Sequence, residues 1–139
     1  MSARAKTHIY VCNTCKPEGF AGEDADRPGS ILAKELAALA RERGVDVNVE
    51  LKAVNCLSVC KRPCTVSVSG AGKFTYIVGD LEPGRDADDI LAFAETYGAS
   101  ADGITKWRER PECVRKHTIA RVPPVGHAAE PVSDIDVES

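Results

Sequence analysis

Three of the six cysteines fall within nine consecutive residues, Cys56-Leu57-Ser58-Val59-Cys60-Lys61-Arg62-Pro63-Cys64. A second cluster, Cys12-Asn13-Thr14-Cys15, stands forty residues upstream of Cys56. The spacing is therefore Cys-x₂-Cys, forty residues, then Cys-x₃-Cys, with Cys64 as a fifth thiol in reserve. Four thiolates from Cys12, Cys15, Cys56 and Cys60 form the ligand set of a tetrahedral zinc site. They equally suit a [2Fe–2S] cluster, in which each iron takes one pair. Spacing alone leaves both open. Cys12-x-x-Cys15 is also the spacing of a thiol–disulfide exchange pair, which works best at a helix N-terminus, where the dipole lowers the thiol pKa. Here about fourteen loop residues, rich in Glu and Asp, follow Cys15 before any helix can start.

Composition narrows the choice. The 139 residues fit one domain, with 43% hydrophobic and 28% charged residues as in a soluble globular protein. A net charge of −3 argues against indiscriminate nucleic-acid binding, which needs a basic surface. No apolar run approaches the roughly 18 residues of a membrane span, and no apolar h-region follows the short polar start. The expected location is the cytoplasm, where clustered cysteines serve as metal ligands or redox groups more often than as disulfides.

The elements that must deliver these thiols follow from hydrophobic periodicity. His8 to Cys12 reads as a strand ending on Cys12. Ser30 is an N-cap candidate for a helix carrying Ile31, Leu32, Leu36, Leu39 and Ala40, with Gly44 as its C′ residue. Val45, Val47, Val49, Leu51 and Ala53 alternate with polar residues and predict a half-buried strand that ends just before Cys56. Cys64 to Ser69 and Phe74 to Val78 form a hairpin around Gly70-Ala71-Gly72. Asp86 or Asp88 starts a second helix with Ile90, Phe93, Ala94 and Tyr97 on one face, and Gly98 ends it. The order β-α-β, then β-β-α, predicts a thioredoxin-like α/β fold with a mixed four-stranded sheet over residues 1–100. Residues 101–139 form a C-terminal extension. Ile104 to Arg121 is a basic arm, net +4, and Val122 to Ser139 a flexible acidic tail, net −4. The arm packs over the domain edge or docks a protein partner through Trp107.

In a right-handed β-α-β unit the two strands are parallel, so their C-terminal ends share one sheet edge about 4.8 Å apart. That edge brings Cys12 and Cys56 together. Lys16, Lys52, Lys61 and Arg62 lie close by in sequence, and cations near a thiolate centre favour both ligation and its more negative reduced form. For Lys52 the alternative is an ordinary solvated lysine.

Cys56-Leu57-Ser58-Val59-Cys60, with Pro63 beyond it and the Cys12/Cys15 pair ahead, resembles the thioredoxin-like [2Fe–2S] ferredoxins, including the small iron–sulfur subunit of respiratory complex I. That family carries one pair near the end of the first strand and a Cys-Leu/Met-x-x-Cys segment after the second, followed by Gly-Pro or Ala-Pro. The resemblance covers roughly residues 8 to 98. It implies a [2Fe–2S] cluster on Cys12, Cys15, Cys56 and Cys60, electron transfer or redox sensing rather than enzymatic turnover, a redox partner protein and a homodimer. The first pair is tighter than the family's, and Cys64 is an added thiol that could substitute for Cys60 or Cys15. Pro63 also sits where thioredoxins carry a cis-proline. The whole chain, with Trp107-Arg108-Glu109-Arg110-Pro111 and Arg121-Val122-Pro123-Pro124, further resembles bacterial predicted metal-binding proteins often encoded beside cobalamin biosynthesis and cobalt handling. Cys113 reads as a packed thiol. His8, His117 and His127 have no ligand spacing, and no hydrolytic constellation appears.

Overall fold

The computed structural model describes residues 6–12, 22, 27–54, 57, 64–128 and 132. Strand β1 (Thr7–Cys12) leads to helix α1 (Pro28–Arg43), then β2 (Val49–Val54), β3 (Val66–Ser69), β4 (Thr75–Val78), α2 (Ala87–Ala99), α3 (Glu112–His117) and β5 (Thr118–Val122). The sheet order is β2-β1-β3-β4-β5, with β1 central among the first three. β1 and β2 are parallel; every other pair is antiparallel. This is the expected mixed α/β, thioredoxin-like arrangement.

Register puts Ile9, Val11, Val66, Val68, Tyr76 and Val78 on one face of the pleat. α1 and α2 touch each other and both lie over β1. They supply Leu32, Leu36 and Ala40 from one helix and Ile90, Leu91, Phe93, Ala94 and Tyr97 from the other to a single core. Tyr76 meets Phe93 edge-on at 5.1 Å and Tyr97 at 6.1 Å, centring the core on β4 and α2. The Tyr97 hydroxyl donates to the Phe74 carbonyl, so this buried phenol is satisfied.

The structure corrects several boundaries. Helix α1 begins at Pro28, with Arg27 in the N-cap position, rather than after Ser30. Proline's missing N–H costs nothing in a first turn, which explains the earlier start. Gly44 closes the helix at φ 69°, as expected of an αL C′ residue. Val45–Val47 is a 3₁₀ turn and not the start of β2, and Val47 is exposed. Gly98 does not end α2, which runs on to Ala99. The Lys73 ammonium instead caps its last turn, donating to the carbonyl of Gly98 at 3.2 Å. The sheet has five strands rather than four, because β5 comes from the basic arm and pairs with β4. Leu39 packs against the core, whereas Ile31 is exposed. Among the described residues no helix is long and apolar enough to cross a membrane.

Candidate metal centre

Cys12 is the last residue of β1 and stands opposite Val54, the last residue of β2. Cys56 lies two residues further along the chain. Three strand ends meet at this edge, because β3 runs antiparallel to β1 and starts there. The Cys12 N–H donates to the Thr65 carbonyl at 3.1 Å, which sets Cys64 one residue from the position facing Cys12. Both thiols are buried, at 2% and 1% exposure. The edge that parallel strands were expected to share therefore holds Cys12, the approach to Cys56, and Cys64. Cys15, Cys56 and Cys60 themselves lie outside the described residues, as do Lys16, Lys61, Arg62 and Pro63. Among the described residues no group of three or more Cys, His, Asp or Glu could hold a metal ion.

Cys64 is fixed by a feature the sequence did not announce. Its N–H donates to the Leu81 carbonyl and its carbonyl accepts from the Leu81 N–H, both at 3.0 Å. The turn that presents Leu81 includes Asp80 at φ 53°, a left-handed conformation costly for a residue with a Cβ. Asp tolerates that region better than most residues, so a Gly-Asp pair after a strand was the available signal. The Asp80 carboxylate lies 3.7 Å from His117 Nδ1, and the Asp80 carbonyl accepts from the Arg85 guanidinium at 3.3 Å.

Burial first, and then the neighbouring Cys12, push the Cys64 thiol up to about 11. A thiol so raised ionises more readily beside a positive centre. Sulfur donors, buried and adjacent at the carboxyl end of parallel strands, fit a thiolate-ligated metal group. A [2Fe–2S] group bound there supplies one-electron redox chemistry.

The other candidates fall elsewhere. The Lys52 ammonium pairs with Glu50 at 3.1 Å on the exposed surface, the solvated alternative given above. His8 lies at the start of β1, 3.4 Å from Glu50, away from the thiol edge. His127 stacks edge-on against Phe74. Cys113 is buried in α3 and lines a cavity of about 270 Å³ with Arg85, Asp86 and His117 among its walls. Burial, then Asp86 and Asp89, push its thiol up to about 12, as suits a packed thiol. Trp107 is 60% exposed.

Fold and site together define a thioredoxin-like α/β protein with a thiol-lined edge. The chain belongs to the family described as protein of unknown function (DUF1636), whose model matches residues 9–124. Among solved structures it is similar to a thioredoxin-like [2Fe–2S] ferredoxin from Aquifex aeolicus. The TM-score is 0.59 at 18% identity, covering 88% of this chain and 97% of that one. A second structure, of the wild-type ferredoxin from the same organism, gives 0.54 at 18% identity over 84% and 98%. At this identity the likeness concerns the fold. No curated protein matches the chain.

Proposed function

We propose that this protein is a [2Fe–2S] ferredoxin of the thioredoxin-like kind, acting in electron transfer or redox sensing and not as an enzyme. The observation that carries the reading is the parallel pairing that sets Cys12 opposite Val54, two residues before Cys56, with the buried Cys64 alongside. The similar Aquifex aeolicus proteins are [2Fe–2S] ferredoxins, which supports the same cofactor here. In this reading Cys12 and Cys15 hold one iron and Cys56 and Cys60 the other. The chain's own part is to bring the strand end that carries Cys12 and the one that leads to Cys56 onto one edge. Cys64, held by Leu81, walls the site and excludes water from Cys12. A redox partner protein exchanges the electron, in a reducing cytoplasm, and the resemblance to predicted metal-binding proteins points to cobalamin and cobalt metabolism as the setting. A homodimer is the expected assembly.

Anaerobic purification followed by metal analysis and an absorption spectrum tests this. The expected result is a red-brown protein with thiolate-to-iron charge-transfer bands and about two irons per chain. A colourless protein with one zinc would overturn it in favour of a closed Cys₄ site. Serine at Cys12, Cys15, Cys56 or Cys60 should bleach the colour in each case. Loss of colour in Cys64→Ser but not in Cys60→Ser would reassign the fourth ligand.

A further inference from the structure

The turn before α3 and the exposed side of that helix carry more cations than the fold pairs. Between Ile104 and Arg121 the acids are Glu109 and Glu112, and Glu112 is taken by Lys116 at 2.6 Å. Arg110 donates to the Thr105 carbonyl at 2.7 Å and lies 5.6 Å from the rings of Tyr76 and Trp107. Lys106, Arg108 and Arg115 are exposed and form no ion pair among the described residues. Trp107, the only tryptophan, stands exposed among them and shares an open cavity of about 320 Å³ with Glu112, Arg115 and Lys116. A large ring steadied by a fixed guanidinium loses little freedom on binding, and Trp and Arg are the side chains that most often anchor protein interfaces.

This face adjoins the thiol edge. The His117 carbonyl at the end of α3 accepts from the Gly79 N–H at 3.0 Å, and Leu81, two residues on, makes both backbone bonds to Cys64. Thr118 pairs with Val78, Val78 with Val66 and Val66 with Val11. Three strand spacings of about 4.8 Å, roughly 14 Å in all, therefore separate the end of α3 from the residue before Cys12.

We propose that Trp107, Arg108 and Arg115 dock the acidic face of a partner protein, whose carboxylates meet the two guanidinium groups while an apolar side chain beside them packs on the indole. A chain of net charge −3 repels a long polyanion such as nucleic acid, whereas a protein surface has to match only the local cations. That the partner exchanges electrons rests on the ferredoxin reading; the chemistry of its docking face does not.

The test uses the anaerobically purified full chain and a capped Glu-Leu-Glu-Leu-Glu peptide, with a Lys-Leu-Lys-Leu-Lys peptide as its counterpart. Trp107 emission should shift to the blue on titration with the acidic peptide and not with the basic one, and calorimetry gives the dissociation constant. That constant should rise about tenfold as salt goes from about 0.02 M to about 0.5 M, where screening shortens to a few ångströms. Arg108→Gln with Arg115→Gln should raise it about tenfold at low salt, and Trp107→Ala, followed by calorimetry, by a similar factor. Lys34→Gln with Arg41→Gln, at two exposed cations of α1, should leave it unchanged. All these side chains are exposed, and matched far-ultraviolet circular dichroism checks that the fold is kept. Affinity that ignores the arm changes, or falls as much with the α1 changes, overturns the proposal. Tighter binding of an oligothymidylate of about twenty nucleotides also overturns it, because the surface then serves a nucleic acid. Visible absorbance of the same samples separates this proposal from the reading it deepens. A colourless zinc protein that binds the acidic peptide removes the ferredoxin reading and keeps the docking face; a red-brown protein that ignores the peptide does the reverse.

Discussion

Raising the pH should destabilise the metal-free chain through Cys113, by an amount the structure sets. The thiol is pushed from 9.0 to about 12, first by burial and then by Asp86 and Asp89. A group whose folded pKa lies above its unfolded value contributes stability that is complete below the unfolded value. That stability is lost as pH climbs toward the folded one. The window for Cys113 therefore opens near 9 and closes near 12. Between about pH 8 and about pH 10.5 the linked loss is on the order of 2 kcal/mol, since each unit of separation is worth about 1.4 kcal/mol. Other groups titrate in the same range, so the informative quantity is a difference. Urea midpoints of the parent and of Cys113→Ala are followed across this range. The variant starts lower, by about 1 kcal/mol for the small void left in the core, but its midpoint should fall less steeply, so that the two curves converge or cross. Asp89→Asn should reduce the slope partially, because burial is the larger cause. Parallel curves for parent and Cys113→Ala would refute the reasoning and mean that the thiol is already ordinary in the folded chain.

Three further outcomes follow from packing. Tyr97→Phe leaves the Phe74 carbonyl without its donor and should cost about 1–3 kcal/mol in urea denaturation. Gly103→Ala should cost more than a surface change, because its Cβ would lie 2.8 Å from the Tyr97 ring and 3.1 Å from the Phe74 nitrogen at φ 82°; a lowered melting temperature checks it. Asp86 accepts from the Glu82 N–H at 2.8 Å and from two nitrogens of Arg85. Its carboxyl is held below the usual range against the opposing cost of burial. The stability it adds is present above its unfolded value near 3.8 and lost as pH falls through the lower folded one, so Asp86→Asn should flatten that acid limb.

Much of this was legible in the residues. His8 to Cys12, the αL stop at Gly44 and the hairpin at Gly70-Ala71-Gly72 each rest on local rules that tertiary packing did not override. The parallel crossover followed from handedness alone, and it set the edge where Cys12 meets the approach to Cys56. The errors have local causes too. Val45 and Val47 continue the alternation of β2, but the chain leaves Gly44 in a tight turn, and the Asn48 N–H bonds back to the Val45 carbonyl at 2.9 Å. Thr118–Val122 escaped notice because Arg121 and the preceding Arg115-Lys116-His117 gave the arm a solvated character. An edge strand needs burial on fewer sides and tolerates such charges. The Asp80 turn that clamps Cys64 through Leu81 depends on backbone conformation, which side-chain pattern does not encode.

The co-directional pairing of β1 and β2 bears on biogenesis. If the thiol edge holds the proposed [2Fe–2S] group, a nascent chain that has released only its first cysteine pair has no second half to offer it, and gains one only after the crossover helix has folded and β2 has paired beside β1. On that proposal cofactor delivery is ordered after synthesis of at least the first sixty residues, and a ligand seen only by the folded form stabilises that form alone. Under the proposed ferredoxin reading, cells starved of iron would accumulate a folded but less durable polypeptide, cleared faster by proteases than its loaded counterpart.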